Sequence, residues 1–135
     1  QGNYNGAIAD FTTAIKLQPD MADAYLQRAI AHYFLKDYAK AIADTTEAIR
    51  LKPDMADAHH YRGVARYFQK DYQGAIADST EAIRLNPNNA QAFINRGNAY
   101  DDLKDHNKAI ADYNEAIRLE PNNERAYYNR GIAYN

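Results

Sequence analysis

Lys36-Asp37-Tyr38-Ala39-Lys40-Ala41-Ile42-Ala43-Asp44-Thr45-Thr46-Glu47-Ala48-Ile49-Arg50-Leu51-Lys52-Pro53 decides the fold, because the chain writes this stretch more than once. It returns from Lys70-Asp71-Tyr72 to Leu85-Asn86-Pro87, and again from Lys104-Asp105-His106 to Leu119-Glu120-Pro121. A truncated first copy runs from Asn3-Tyr4 to Leu17-Gln18-Pro19. The chain has four prolines, Pro19, Pro53, Pro87 and Pro121, each 34 residues from the next. A fixed period of that size marks a stacked repeat. One unit cannot bury its apolar face alone, so neighbours bury it in turn and a solenoid results.

Within the first copy, Tyr4, Ala7, Ile8, Phe11, Ala14 and Ile15 recur at i, i+3, i+4 and i+7, which is one face of a helix. Proline pushes the residue before it out of the α region, so Pro19 sets a boundary. The spacing predicts helices over 22–34 and 38–51, then near 56–69, 72–85, 90–102, 106–119 and 124–134. Asp37 is suited to cap the helix that follows it, and Asp54, Asn88 and Asn122 are expected to cap the helices after the prolines. Connections of two to five residues make successive helices antiparallel. We call the first helix of each unit A and the second B. Gly63, Gly97 and Gly131 share one position of helix A, where Ala29 stands in the first complete copy. A glycine inside a helix costs about 1 kcal/mol relative to alanine, so its recurrence points to close A–B contact. Arg28, Arg62, Arg96 and Arg130 on helix A, and Asp10, Asp44, Asp78 and Asp112 on helix B, recur with the same period. An Arg–Asp contact between adjacent helices is expected, giving register more than net stability.

The 135 residues suffice for one domain with a narrow continuous core. Sixteen basic and 18 acidic residues leave a net charge of −2, spread along the chain. Nucleic acid and anionic membrane both call for a basic stripe, so neither is expected as a partner. The sequence contains no run of 18 apolar residues and no signal-peptide pattern, so no membrane span is expected. Cysteine is absent, which removes disulfides and thiolate chemistry and fits a cytoplasmic location.

The repeating unit resembles the tetratricopeptide repeat. The residues that carry the likeness are Tyr25, Ala29, His32, Ala41, Thr45, Ala48 and Pro53 in one copy, and Phe93, Gly97, Tyr100, Ala109, Tyr113, Ala116 and Pro121 in another. The recurring arginine stands where the family usually carries leucine. The resemblance implies an all-α, right-handed superhelix of antiparallel helix-turn-helix units spanning 1–135 as a single array. Its complete repeats would be 21–54, 55–88 and 89–122. Residues 1–20 would be the second helix of a partial repeat and 123–135 the first helix of another, as in a piece of a longer array. In this family the concave groove usually holds an extended peptide.

Comparing the copies separates scaffold from site. Ala24, Arg28 and Ala31 hardly change in the later copies, and they form the packed face of helix A. A second stripe varies: Asp23, Leu26, Gln27, Ile30, Tyr33; Asp57, His60, Tyr61, Val64, Tyr67; Gln91, Ile94, Asn95, Asn98, Asp101; Arg125, Tyr128, Asn129, Ile132. By the resemblance these positions line the groove, and they nominate Gln27, Ile30, Tyr33, His60, Tyr61, Val64, Tyr67, Asn95, Asn98, Asp101, Arg125 and Asn129 for binding. The first two units offer apolar and aromatic surface, including Leu26, Phe34 and Phe68, at low entropic cost. The last two offer amides, which both donate and accept and so suit a peptide backbone. Asn95 and Asn129 are similar in place to the asparagine ladder of O-linked N-acetylglucosamine transferase, with Gln27 and Tyr61 interrupting it. The family's clamp for a C-terminal carboxylate would fall on His60, Val64, Asn95, Arg125 and Asn129. Only Asn95 and Arg125 fit that pattern.

His32, His59 and His106 occupy positions that are mostly aromatic elsewhere, so they are expected in the core, leaving His60 on the groove. Asp101, Asp102, Asp105 and His106 form an oxygen-rich group, but Asp105 is explained as a helix cap and no metal is expected. Glu47, Glu81 and Glu115 recur as solvated scaffold. The sequence contains no phosphate-binding glycine loop, nucleophile elbow or His-Glu-x-x-His, and neither a cofactor nor an enzyme activity is expected. The expected role is a protein-interaction scaffold that holds a protein or peptide partner. The alternative is a structural module that self-associates end to end through apolar faces around Ala7, Ile8, Phe11, Tyr127 and Tyr134.

Overall fold

The computed structural model describes residues 2–135, which form eight helices: α1 (Tyr4–Leu17), α2 (Ala22–Phe34), α3 (Tyr38–Leu51), α4 (Ala56–Phe68), α5 (Tyr72–Leu85), α6 (Ala90–Asp102), α7 (His106–Leu119) and α8 (Glu124–Ala133). Each helix packs on its sequence neighbours, and α2, α4, α6 and α8 also touch one another in succession. The odd-numbered B helices make no such contacts with each other. The A helices are therefore drawn together on the inner side of an α-solenoid while the B helices splay outside.

Alanine makes that approach possible. Ala58, Ala65, Ala92 and Ala99 on the A helices, with Ala48, Ala82 and Ala116 on the B helices, are wholly inaccessible to solvent. The recurring glycine has the same cause. A Cβ on Gly63 would lie 3.2 Å from Asp78 Cβ and from Ser79 Oγ, and one on Gly97 would lie 2.8 Å from the Tyr113 ring. Ala29 is accommodated opposite Thr45, a smaller residue than tyrosine. At Gly131 nothing among the described residues lies within 4 Å of such a Cβ.

Arginine fastens three consecutive helices. Arg28 donates from Nε and Nη2 to the carboxylate of Asp44 on α3, at 2.8 and 2.7 Å, and from Nη1 to Thr12 on α1 at 3.1 Å. Arg62 joins Asp78 to Thr46 and Arg96 joins Asp112 to Thr80 in the same way. These aspartates are buried, so each pair has paid a desolvation cost and neither member can be removed cheaply. Burial pushes the Asp112 carboxyl above its ordinary range, against the opposing pull of Arg96. The two outermost members differ: Arg130 donates to Asn114 at 2.6 Å, and Asp10 is exposed.

The caps follow from the turns. Asn3, Asp37, Asp71 and Asp105 each accept a backbone N–H three residues on, opening the B helices. Before the A helices the cap lies one residue later than expected. It is Met21, Met55, Asn89 or Asn123, and not Asp54, Asn88 or Asn122. Only the two asparagines supply a side-chain acceptor, to Ala92 N and Ala126 N. The A-to-B turns carry lysine at positive φ: Lys36 (61°), Lys70 (64°) and Lys104 (67°). Around Lys36, Asp37 N–H donates to the His32 carbonyl and Lys36 N–H to that of Tyr33, the paired closure of a Schellman motif. No helix among the described residues is long and apolar enough to cross a membrane.

Candidate peptide-binding groove

The stripe that varies between copies lies on the inner A helices, but at unequal depths. Leu26 and Ile94 are core residues, at 5% and 0% exposure, because neighbouring A helices close over them. Val64, at 9%, belongs to the floor more than to the wall. Ile30 and Tyr61 are half-buried against the cluster of Leu26, Ala48, Met55 and Ala58. Gln27 is exposed.

Eight of the twelve nominated residues surround one cavity of about 130 Å³: Tyr33, His60, Tyr61, Val64, Tyr67, Asn95, Asn98 and Arg125, joined by Phe68 and Gln91. A second depression of about 180 Å³ shares Tyr67 and Asn98 with it and adds Asp101, Asp102, Tyr113, Asn129 and Ile132. Gln27 and Ile30 line neither.

The first cavity has aromatic walls. Tyr33 meets Tyr61 edge-on with centroids 5.8 Å apart, and Phe68 stacks on Tyr38 at 4.9 Å and 7°. The same stack joins Tyr4 to Phe34 one copy earlier, at 5.2 Å. Burial raises the hydroxyl pKa of Tyr33 and of Tyr61, so both remain neutral hydrogen-bonding groups. His60 lies edge-on to Tyr61, its Nδ1 buried without a protein partner, and burial holds its imidazole below the ordinary range. At neutral pH it presents a neutral ring. Arg125 contributes a guanidinium whose one side-chain hydrogen bond among the described residues is to Gln91 Oε1, at 3.5 Å.

The second depression is polar, and its amides are partly committed. Tyr113, buried in α7, donates its hydroxyl to Asn98 Oδ1 at 2.9 Å, and Asn129 Nδ2 donates to the same oxygen at 2.8 Å. Asn98 Oδ1 and Asn129 Nδ2 are thus engaged within the protein, while Asn98 Nδ2 and Asn129 Oδ1 make no side-chain hydrogen bond among the described residues. Asn95 makes no side-chain hydrogen bond among the described residues and keeps its amide available. Tyr67 donates to Asp102 Oδ2 at 2.6 Å; burial and that carboxylate both push its own pKa up.

His106 corrects an expectation. It is exposed, not in the core, with Nδ1 at 2.6 Å from Asp101 Oδ1, where the equivalent Tyr38 meets the ring of Tyr33. His32 and His59 are buried, at 8% and 7%. Among the described residues no three His, Cys, Asp or Glu side chains are gathered to hold a metal.

This architecture agrees with two family models. One, described as Tetratricopeptide repeat, matches residues 90–123; a second with the same description matches 1–56 and 26–90. The chain belongs to the tetratricopeptide repeat family. A comparison with curated proteins finds no match. Among solved structures, this tetratricopeptide chain is similar to MamA at 29% identity, with a TM-score of 0.94 over 98% of this chain and 78% of that one. It is similar to the first tetratricopeptide domain of Spaghetti (RPAP3) bound to the HSP90 peptide SRMEEVD, at 25% identity and TM-score 0.82, covering 84% of this chain and 90% of that one. The second such domain of human RPAP3, in complex with the HSP70 peptide SGPTIEEVD, is 27% identical with a TM-score of 0.81, over 84% and 95%.

Proposed function

We propose that this chain is a protein-interaction scaffold that holds an extended segment of a partner protein in its concave groove. The carrying observation is the cavity of about 130 Å³ between α2, α4, α6 and α8, walled by residues that change from copy to copy. Stacking does not require Tyr61, Asn95 or Arg125 at their places, since other copies pack with other residues there. Peptide complexes of the RPAP3 domains support this reading, because a similar fold there binds a peptide. The carboxylate clamp does not carry over whole: Val64 offers no donor, and the Asn129 amide is turned to Asn98. An apolar side chain in the aromatic cavity, a backbone amide on Asn95 and a carbonyl on Arg125 fit the groove better. No groove residue sets a nucleophile beside a base, and we read the chain as a binding module and not an enzyme.

Selection of displayed random nonapeptides on the chain tests this, with a Tyr61→Ala, Asn95→Ala variant in parallel. Enrichment of a sequence motif by the chain, lost with the variant while its helical circular dichroism is kept, is expected. Equal enrichment by both, or by neither, would refute the groove; mass that rises with concentration would then favour end-to-end association.

A further inference from the structure

The groove is uneven in charge as well as in shape. Along the A-helix stripe stand Asp23, Asp57 and Asp101, with Asp102 beside it in the adjoining depression, against one guanidinium, Arg125, a formal −3. His60 adds nothing to the positive side, since the partial burial of its ring keeps it neutral. Of the solenoid's other cations, Arg50, Arg84 and Arg118 pair with glutamates of their own B helices, Lys40 and Lys108 with the B-helix caps, and Arg28, Arg62, Arg66 and Arg96 with buried aspartates, while Lys36, Lys70 and Lys104 stand in the A-to-B turns, off the stripe.

Asp101 and Asp102 stand where the two preceding copies carry Tyr33-Phe34 and Tyr67-Phe68. In those copies the phenylalanine completes a ring stack against the preceding B helix, Phe34 on Tyr4 and Phe68 on Tyr38. At the third, Tyr72 has Asp102 where that ring would be. An aromatic pair contributes about 0.5–1.5 kcal/mol beyond its buried area, so replacing it with two carboxylates side by side gives up stability that the scaffold could have kept. The exchange also turns the adjoining depression acidic at the point where it meets the aromatic cavity, across Tyr67.

Resting on the groove reading above, we infer that the bound segment is cationic. It seats an apolar side chain in the aromatic cavity and, a few residues along, places a lysine or arginine head on Asp101 and Asp102. The long aliphatic stem of such a side chain lies along the Tyr67 ring, and its N–H groups donate to Asp101 Oδ2 and Asp102 Oδ1, the oxygens that His106 and Tyr67 do not engage. Tyr67 holds Asp102 in place by donating to Oδ2. An acidic tail meets like charge at the same point, so this groove differs in preference from the domains that bind the EEVD-ending peptides.

Three pools of acetylated, amidated nonapeptides test the inference by fluorescence polarisation. Each pool carries a fixed central leucine or tyrosine, and they differ only in having lysine, glutamine or glutamate at the flanking positions. The lysine pool should bind about tenfold more tightly than the glutamine pool, with the glutamate pool weakest. Its affinity should fall several-fold between low salt and about 0.5 M salt, a test that needs no variant. It should fall about tenfold in Asp101→Asn, Asp102→Asn, whose side chains keep their size. Equal binding of all three pools, abolished by Tyr61→Ala, would overturn the cationic preference and leave the groove standing. Failure of every pool to bind would overturn both.

Discussion

In the N-terminal half of the groove Tyr33, Phe34, Tyr38, Tyr61 and Phe68 meet ring to ring. In the C-terminal half the positions equivalent to Tyr33, Phe34 and Tyr38 carry Asp101, Asp102 and His106 on the same backbone. The backbone does not change because these positions lie at the end of helix A and the start of helix B, outside the alanine contacts that set the stacking distance. The two halves also support their walls differently. Thr45 and Ser79 fill the A–B gap in the first two copies, and Thr45 hydrogen-bonds only to its own helix, at Ala41 O. Tyr113 fills the gap in the third and reaches through to fix Asn98 in the groove. A solenoid therefore lets one copy exchange both a wall and its support while its neighbours keep theirs.

The largest test of that difference is Tyr113→Ala. Tyr113 is 1% exposed, and truncation of a buried aromatic costs about 3–5 kcal/mol, so urea midpoints should fall accordingly. Thr45→Ala, the same position one support smaller, should cost about 1 kcal/mol. Equal losses would mean that the two gaps are filled equally well and that the tyrosine has no special share in the C-terminal half.

Next comes the glycine opposite each support. Gly97→Ala gains about 1 kcal/mol of helix propensity but drives a methyl to 2.8 Å from a ring with no room to move. Overpacking of that kind costs about 1–3 kcal/mol, and we expect a net loss near the middle of that range. Gly63→Ala meets its neighbours at 3.2 Å and should stay within about 1 kcal/mol of the parent. Thermal unfolding of the two variants side by side would decide; a more stable Gly97→Ala would show that Tyr113 can yield.

A smaller and more direct exchange rebuilds the first half inside the second. Asp101→Tyr, Asp102→Phe and His106→Tyr together restore the ring stack against Tyr72. The triple variant should gain about 1 kcal/mol in chemical denaturation. It should also lose its preference for lysine-bearing peptides. A gain in stability with that preference intact would place the cation's partner elsewhere on the groove.

Much of this was legible from the sequence, for a physical reason. A period of 34 fixes which residues share an environment, so the helices, the Arg–Asp fastening, the close approach at Gly63 and Gly97 and the caps at Asp37 and Asp71 follow from one copy. Thr12, Thr46 and Thr80 lie sixteen residues before their arginines at the same period, and they could have been read as the other end of the fastening. Depth was not legible. Helical spacing puts Leu26, Val64 and Ile94 on the groove stripe, but how far the A helices close over them depends on the superhelix. Nor does spacing reveal that Asn129, 31 residues from Asn98, donates its amide N–H to the Asn98 oxygen. The expected cap at Asp54 fell one residue early because the turn after Pro53 is longer than the proline alone implies. The departure of His106 from the core had a signal, since it coincides with the loss of its aromatic neighbour at 101.

The smallest expected effect concerns pH, and it separates the halves by where the buried imidazoles lie. Burial lowers the pKa of His32 and of His60, both in the first two A helices, below the ordinary 6.5. His32 faces Asp44, 3.9 Å away on α3, with Arg28, Asp37 and Lys40 around it, and desolvation still prevails. His60 has Asp57 as its charged neighbour. In the unfolded chain both would bind protons more readily than in the folded one, so their contribution is complete above pH 6.5. It is lost as pH falls through their lower folded values. Hydrogen exchange at decreasing pH, corrected for intrinsic rates, should therefore show α2 and α4 losing protection before α6 and α7. The difference should shrink in a His32→Phe, His60→Gln variant. Uniform loss along the solenoid would mean that acid acts through the recurring Arg–Asp fastenings shared by both halves, and not through the histidines that distinguish them.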